Sequence, residues 1–406
     1  MLRFIHAADI HLDSPLLKLE QYEGAPIEAL RGATRQALQN LTQLAISESV
    51  DFVLISGDLY DGDWKDYNTG LYFIKQMAKL KDAKIQVFIV AGNHDAGSKM
   101  SKTLRLPDNV IMFPMDKPDT VCLENLGVAI HGQSFSTSAV KKDLSSAYPF
   151  AISGFFNIGM LHTGATGIEG HEPYAPCTIE GLKAKGYDYW ALGHVHKRTI
   201  LSENPMIVFP GNIQGRHILE SGAKGCMLVS ADDSVNMEFR PIDVIRWETV
   251  RIDSNGDIHD LLNLISEQFQ AIYEKHQMPT AARIEIHSNS YPADTESLTH
   301  EIRALAVESG GKIWVEKIRF NVEQTIEKDM SDKGPVSEII QLFREYQNDP
   351  ARLKSAAESL NDLLVKLPGE LRHGNDAVFP SSTDWLKRIL REAEPMLIHR
   401  LMSEGK

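Results

Sequence analysis

Apolar and polar positions alternate between two periods along the first hundred residues. Residues 2–8 form a compact apolar run that stops at Asp9-Ile10-His11. Leu30, Ala33, Ala37, Leu38, Leu41, Leu44 and Ala45 then recur at helical spacing over residues 29–48, predicting an amphipathic helix. Residues 50–56 are apolar and β-branched and close on Gly57-Asp58, as a buried strand would. A second helical stripe passes through Leu71, Ile74, Met77, Ala78 and Leu80, and a further strand over residues 85–91 closes on Gly92-Asn93-His94-Asp95. This alternation predicts parallel βαβ units with right-handed crossovers.

More short strands are predicted at 127–131, 157–161, 189–193, 207–209 and 226–230. Short connections around the last two predict a more antiparallel second half, with two packed sheets and helices outside. Near Arg246 a new pattern begins: strand 247–252, helix 258–273, strand 283–288, helix 295–307 and strand 312–322. This βαβαβ module holds no concentrated acid–base chemistry and is expected to cap the chain or position substrate. Beyond Glu323 the pattern is helical. Val336, Ile339, Ile340, Phe343 and Tyr346 mark one stripe, and Leu353, Ala356, Leu360, Leu363, Leu364 and Leu367 a second. Trp385, Ile389, Leu390, Met396, Leu397 and Leu401 mark a third, with a kink expected at Pro395 and a loop at 369–382. The expected division is 1–243, 244–325 and 326–406.

Composition narrows the function classes. Forty-two basic residues against 55 acidic give a net charge of −13, which argues against a general polyanion-binding surface. A local basic groove, or metals that invert the field at one site, remain compatible with it. Three scattered cysteines without Cys-x-x-Cys spacing predict a reducing compartment with neither disulfide framework nor zinc ribbon. The amino end enters a strand directly, and no run of about 18 apolar residues occurs, so a cytoplasmic protein with no membrane association is expected.

The candidate chemistry sits where strands stop. The clusters are Asp9-Ile-His11, Gly57-Asp58-Leu-Tyr-Asp61, Gly92-Asn93-His94-Asp95, Leu161-His162-Thr163 and Gly193-His194-Val-His196. Each alone has an ordinary reading as a turn or a buried histidine. In open α/β sheets, however, ligands bind beyond the carboxyl ends of the strands, so the clusters are expected to converge. Two neighbouring divalent cations need a carboxylate to bridge them, with imidazole and amide oxygen completing each shell. Such a mixed donor set suits Mn²⁺ best, with Fe²⁺ and Zn²⁺ open, and suits an all-oxygen Mg²⁺ site less. The glycines at 57, 92 and 193 are expected to let the backbone turn sharply off each strand.

In this order, the clusters resemble those of the calcineurin-like metallophosphoesterases. That resemblance implies an α/β (α+β) fold: a four-layer α/β/β/α sandwich, here with a small α/β cap and a helical carboxyl-terminal region. It implies that Asp9, His11, Asp58 and His196 hold one metal, and that Asp58 bridges to a second held by Asn93, His162 and His194. His94 is then the histidine facing the scissile phosphate, oriented by Asp95, and Asp61 orients a ligand. Splitting the 194/196 pair between two cations makes its two histidines non-equivalent. The implied chemistry is in-line attack by a metal-activated water, with His94 assisting the leaving group.

The branch is set by smaller features. Asp61-Gly62-Asp63 lacks the arginine of the phosphoprotein phosphatases, and Asp95 stands where they have glutamate. Phe4-Ile-His-Ala-Ala-Asp9-Ile-His11-Leu12 and Ser56-Gly-Asp58-Leu-Tyr-Asp61 resemble the SbcD-type DNA-repair exonucleases, although those usually have glycine where Asp13 stands. Asp13-Ser-Pro-Leu16, Tyr174-Ala-Pro-Cys177 and Pro210-Gly-Asn-Ile-Gln-Gly-Arg216-His217 look like segments of YhaO-type proteins. The resemblance implies a DNA exonuclease working with an SbcC-like coiled-coil ATPase docked on the carboxyl-terminal helices, in a homodimer. A phosphodiesterase for small or cyclic nucleotides, and a structural repair subunit with a vestigial site, are the alternatives. Phosphate contacts are expected from Arg216 with His217; Lys99, Lys102, Arg105, Lys197 and Arg198 are further candidates, of which the lysines read more simply as solvated surface.

Overall fold

The computed structural model describes residues 1–14, 27–61, 67–97, 105–165, 174–232, 234–254, 257–289, 292, 294–322, 335–358 and 382–403. The chain begins β1 (Leu2–Ala7), α1 (Ile27–Ser47), β2 (Phe52–Ser56), α2 (Tyr67–Asp82), β3 (Gln86–Val90), α3 (Asn93–Gly97) and β4 (Val110–Met112). It continues β5 (Asp119–Leu123), β6 (Val128–Gly132), β7 (Phe156–His162), α4 (Ile179–Lys183) and β8 (Tyr189–Gly193). Then follow β9 (Thr199–Glu203), β10 (Met206–Phe209), β11 (Gly225–Ala231) and β12 (Val235–Pro241).

These strands make two six-stranded sheets, ordered β12-β11-β1-β2-β3-β4 and β5-β6-β7-β8-β10-β9. β1 to β4 pair in parallel, as do β6, β7, β8 and β10. The antiparallel character expected across the second half is confined to the edge strands β5 and β9 and to β11 and β12, which return to the first sheet. β10 lies parallel to β8 because the β9 hairpin intervenes and reverses the chain twice.

Alternation along each strand divides the apolar side chains between two layers. Ile5, Ala7, Val53, Ile55, Val87 and Ile89 pack with Ala37, Leu38, Leu41, Phe73 and Met77 of α1 and α2. Phe4, Phe52, Leu54, Phe88 and Val90 face the other way, onto Val128, Ile130, Ile158, Met160 and Ala191 of the second sheet. On that sheet's far side, Trp190, Leu192 and Leu161 pack under α4 and the loops around it. His6 is an imidazole between the sheets, held by the Tyr189 hydroxyl at 3.0 Å and the Leu192 carbonyl at 3.1 Å. Burial pushes its pKa down to about 3, so it sits there neutral.

Two compact units emerge, Met1–Glu248 with His276–Ala281, and Thr249–Lys275 with Ala282–Lys406. β13 (Arg246–Asp253), α5 (Ile258–His276), β14 (Thr280–Ser288), α6 (Thr295–Glu308) and β15 (Ile313–Val322) follow the βαβαβ order that the pattern predicts, with sheet order β13-β14-β15. Phe269, Ile265, Ile284, Ile302 and Val315 are among its core residues. Arg283 and Glu316 are buried and satisfy each other through two hydrogen bonds of 2.8 and 2.7 Å. α7 (Pro335–Asn348), α8 (Pro350–Ala357) and α9 (Thr383–Ser403) bury Leu353, Ala357 and Leu386. α9 passes through Pro395 as one continuous helix, while Leu360, Leu363, Leu364, Leu367 and the expected loop at 369–381 lie outside the described residues. No described helix is long and apolar enough to cross a membrane.

Phe4 ties the sheets together: it is fully buried, stacks on Phe52 at 5.1 Å and meets the edge of Tyr189 at 5.3 Å. Phe4→Ala is expected to destabilise the protein by about 3–5 kcal/mol in a denaturant titration, the usual cost of emptying an aromatic core position.

Candidate metal centre

The five polar clusters meet at the carboxyl ends of β1, β2, β3, β7 and β8. Reaching one point requires uncommon backbone. Asp9 (φ 52°), His11 (φ 45°), Asp58 (φ 49°) and His194 (φ 109°) all have positive φ. Such conformations persist where surrounding bonds over-determine them. Here Asp9 N donates to Gly57 O and His11 N to Asp58 O, each at 3.0 Å, and His194 N donates to Asp9 Oδ1 at 3.0 Å. The glycines prove to serve closeness as well as turning. Only Gly57 of the three has a positive φ. A Cβ on Gly92 would lie 2.3 Å from Asp58 Oδ1, and one on Gly193 would lie 1.8 Å from the Ser56 carbonyl oxygen.

The side chains form donor groups able to hold cations. Asp9, His11 and His196 form one group, and Asp58, His162 and His194 another, with the atoms of each within 4.8 Å. A third grouping of His11, Asp58 and His94 overlaps the first two. Asp58 stands between them, its Oδ2 3.8 Å from His11 Nε2 and 3.4 Å from His162 Nε2. Burial alone would raise its pKa, but the neighbouring His162 and His11 hold the carboxyl well below the usual range.

Hydrogen bonds indicate which nitrogens face inward. His162 Nδ1 lies 3.0 Å from the Ser56 carbonyl, which can only accept, so Nδ1 carries a proton and Nε2 is the nitrogen left to face a cation. Nε2 in turn lies 3.0 Å from Asn93 Oδ1. Burial opposes charge on His162, yet Asp58 outweighs it and raises the pKa to about 9, so without metal a proton occupies the position a cation would take. His11 is different: burial, reinforced by the Arg216 charge, drops it to about 3. Its Nδ1 is buried without a hydrogen-bond partner, and its Nε2 lies 3.1 Å from His196 Nε2. Buried carboxylates facing imidazole lone pairs, with an orphaned nitrogen among them, are a set that a divalent cation fits.

One expected pairing is corrected. Asp95 does not orient His94. Its oxygens accept from the backbone N–H groups of Leu59, Tyr60 and Gly92 at 3.1, 2.9 and 3.0 Å, joining the loop after β2 to the end of β3. Burial, then the nearby Asp58, raises Asp95 to about 6. His94 instead places Nδ1 2.7 Å from Asp61 Oδ1, while Asp58 Oδ1 accepts from the His94 backbone N–H at 3.0 Å. The family resemblance implied Asp95, but its carboxylate is taken up by backbone N–H groups and Asp61 reaches the His94 ring instead.

Sequence reasoning missed Glu220 altogether. It is 5% exposed, and its Oε1 lies 2.6 Å from His196 Nδ1 and 3.1 Å from Arg216 Nη2. Asp13 has φ 55° and accepts from Arg35 Nε at 2.7 Å.

Comparison with known proteins places this geometry. A family model described as calcineurin-like phosphoesterase matches residues 2–198. The "Uncharacterized metallophosphoesterase YhaO" of Bacillus subtilis (strain 168) is 34% identical over 281 residues, covering 68% of this chain and 69% of that protein. The chain belongs to the calcineurin-like metallophosphoesterases. The "DNA double-strand break repair protein Mre11" of Saccharolobus solfataricus is 26% identical over 276 residues, 62% of this chain and 68% of that one. A solved structure described as a dimetal phosphatase from Danio rerio aligns at TM-score 0.35 and 12% identity over 59% of this chain and 96% of its own, too distant to bear on the chemistry.

In this metallophosphoesterase the expected phosphate contacts part company. Arg216 is half-buried beside Glu220, with Nη1 3.6 Å from Asp61 Oδ2. His217 is 53% exposed, and Arg105, Lys197 and Arg198 are exposed. Lys99 and Lys102 lie outside the described residues.

His94 carries a raised pKa: burial opposes it, and the hydrogen bond to Asp61 with the charges of Asp58 and Asp61 prevail. The stability this pairing contributes to the metal-free protein is full below pH 6.5 and lost as pH rises through the raised value. NMR titration of the His94 ring is expected to show its pKa falling in Asp61→Asn and staying in place in Asp95→Asn. The reverse pattern would reinstate Asp95.

Proposed function

We propose that this metallophosphoesterase is a two-metal phosphodiesterase that cleaves DNA, acting as an exonuclease. The observation that carries the reading is Asp58, buried between two donor groups with His94 beside it. In this reading Asp9, His11, Asp58 and His196 hold one cation, and Asp58, Asn93, His162 and His194 the other. The mixed carboxylate, imidazole and amide donors favour Mn²⁺, with Fe²⁺ or Zn²⁺ as substitutes. Two such cations supply Lewis acidity toward the phosphate and a deprotonated water at neutral pH.

The protein's own groups supply the rest. His94, with a side chain 40% exposed and Nδ1 on Asp61, offers Nε2 to the leaving oxygen. Against the effect of burial, the Asp61 hydrogen bond raises the pKa of the ring, which favours the protonated form that would donate to the departing alkoxide. Asp61 holds the ring, and Asp95 holds the loop that presents Asp58.

DNA as substrate is supported by the Mre11 repair proteins among the relatives, at 25–28% identity. By the same likeness we assign α7, α8 and α9 the docking of an SbcC-like coiled-coil ATPase, within a homodimer. One observation favours a second reading: a net charge of −13 lends no support to a long basic track, which a small-nucleotide diesterase would not need.

The test is an assay of the full chain with Mn²⁺ on single- and double-stranded DNA, cyclic nucleotides and p-nitrophenyl phosphate diesters. DNA degradation is expected, lost in Asp58→Asn and reduced about 10²–10⁴-fold in His94→Ala. Turnover of small diesters with DNA left intact would replace the first reading with the second.

A further inference from the structure

We infer that Glu220 is a positioning residue of the metal centre: it fixes the tautomer of His196 so that Nε2 presents a lone pair inward, and it takes up the Arg216 charge. The inference rests on the ligand set proposed above.

The geometry decides between two arrangements at His196 Nδ1. Glu220 Oε1 lies 2.6 Å away and Arg216 Nη2 lies 3.3 Å away. If Nδ1 carried its lone pair, Arg216 could donate to it, but two lone pairs would then face each other at the shorter contact. With a proton on Nδ1, the shorter contact is a charge-assisted hydrogen bond, and Arg216 Nη2 donates to the same Oε1 at 3.1 Å. The second arrangement leaves Nε2 unprotonated, 3.1 Å from His11 Nε2.

The carboxylate's two oxygens divide the work. Oε2 accepts from Asn212 Nδ2 at 2.9 Å and from the Arg216 backbone N–H at 2.8 Å, which fastens the loop between β10 and β11. Oε1 faces the histidine and the guanidinium. Arg216 Nη1 reaches on to Ser14 Oγ at 3.5 Å and lies 3.6 Å from Asp61, whose other oxygen holds His94. A continuous chain, His196–Glu220–Arg216–Asp61–His94, therefore spans the centre. Arg216 is part of that chain, held to Glu220 through Nη2 while its Nε is buried without a hydrogen-bond partner. Carboxylates placed behind histidine ligands in this way orient the ring and strengthen it as a donor.

Glu220→Gln separates positioning from fastening. Every group around the carboxylate is a donor, so the amide NH₂ must oppose either the loop or His196. Long-range ¹H–¹⁵N NMR of the metal-free wild type is expected to show His196 protonated on Nδ1, with that preference lost in Glu220→Gln. Mn²⁺ titration of the same variant should show one cation weakened 10–100-fold and the other retained. Asn212→Ala, which removes a loop bond and leaves Oε1 in place, should keep both the tautomer and the affinity. Should Glu220→Gln fail to fold, Glu220→Asp withdraws the carboxylate from His196 and should shift both readouts the same way. An unchanged tautomer with unchanged Mn²⁺ affinity in the folded variant, or equal losses in Asn212→Ala, would overturn the proposal. A wild type that bound no Mn²⁺ would instead overturn the ligand set, since the tautomer is read without metal.

Discussion

Asp58 is 1% exposed and yet its carboxyl is held well below the usual range, because burial is outweighed by His162 and His11. A buried carboxylate stays ionised only where opposite charge or hydrogen-bond donors reach it within a few ångströms. Those groups come from other strand ends, so both sheets must end at one place. The largely apolar layer between the sheets, with Phe4 and Phe52 on one side and Ile158 and Met160 on the other, sets that alignment. Side chains could not stand between backbones this close, which is why glycine occupies positions 92 and 193. The left-handed turns at Asp9, His11, Asp58 and His194 are the local consequence.

Most of the fold was readable because the two periods in the sequence are clean. β1, β2 and β3 each end on a polar cluster, and α1 carries one buried stripe through Leu30, Ala37, Leu38 and Leu41. Pairing direction was less readable, since β10 is short and its parallel partner β8 is set by a hairpin rather than by its own residues. The side chains at the site were also readable, as they carry the rare chemistry and sit at strand ends. Their neighbours were not. Asp95, the partner that the resemblance implied for His94, is taken up by backbone amides, whereas Asp61 arrives from a different strand end. Glu220 ends an ordinary 3₁₀ turn, and its only sequence signal is the Arg216–Glu220 spacing of four.

The relatives set the family, and the geometry refines what the family name leaves open. Three carboxylates divide the tasks around the centre: Asp95 binds backbone, Asp61 binds His94, and Glu220 binds His196 and Arg216. Their pKa shifts follow those partners. Burial, with the like charge of Asp58, raises Asp95 to about 6 against its backbone hydrogen bonds, while the burial of Asp61 is outweighed by hydrogen bonds with His11 and His94, and that of Glu220 by Arg216 and His196. In the proposed reading, the chemistry of a diester hydrolase and the packing of a two-sheet sandwich make the same demand on the same few positions.

The central claim is that Asp58 is shared by two cations. Electron paramagnetic resonance of the full chain loaded with Mn²⁺, alongside metal analysis, addresses it directly. Two Mn²⁺ per chain with the spectrum of an exchange-coupled pair, and loss of that coupling in Asp58→Asn, is the predicted result. One uncoupled Mn²⁺ per chain, unaffected by Asp58→Asn, would contradict the account.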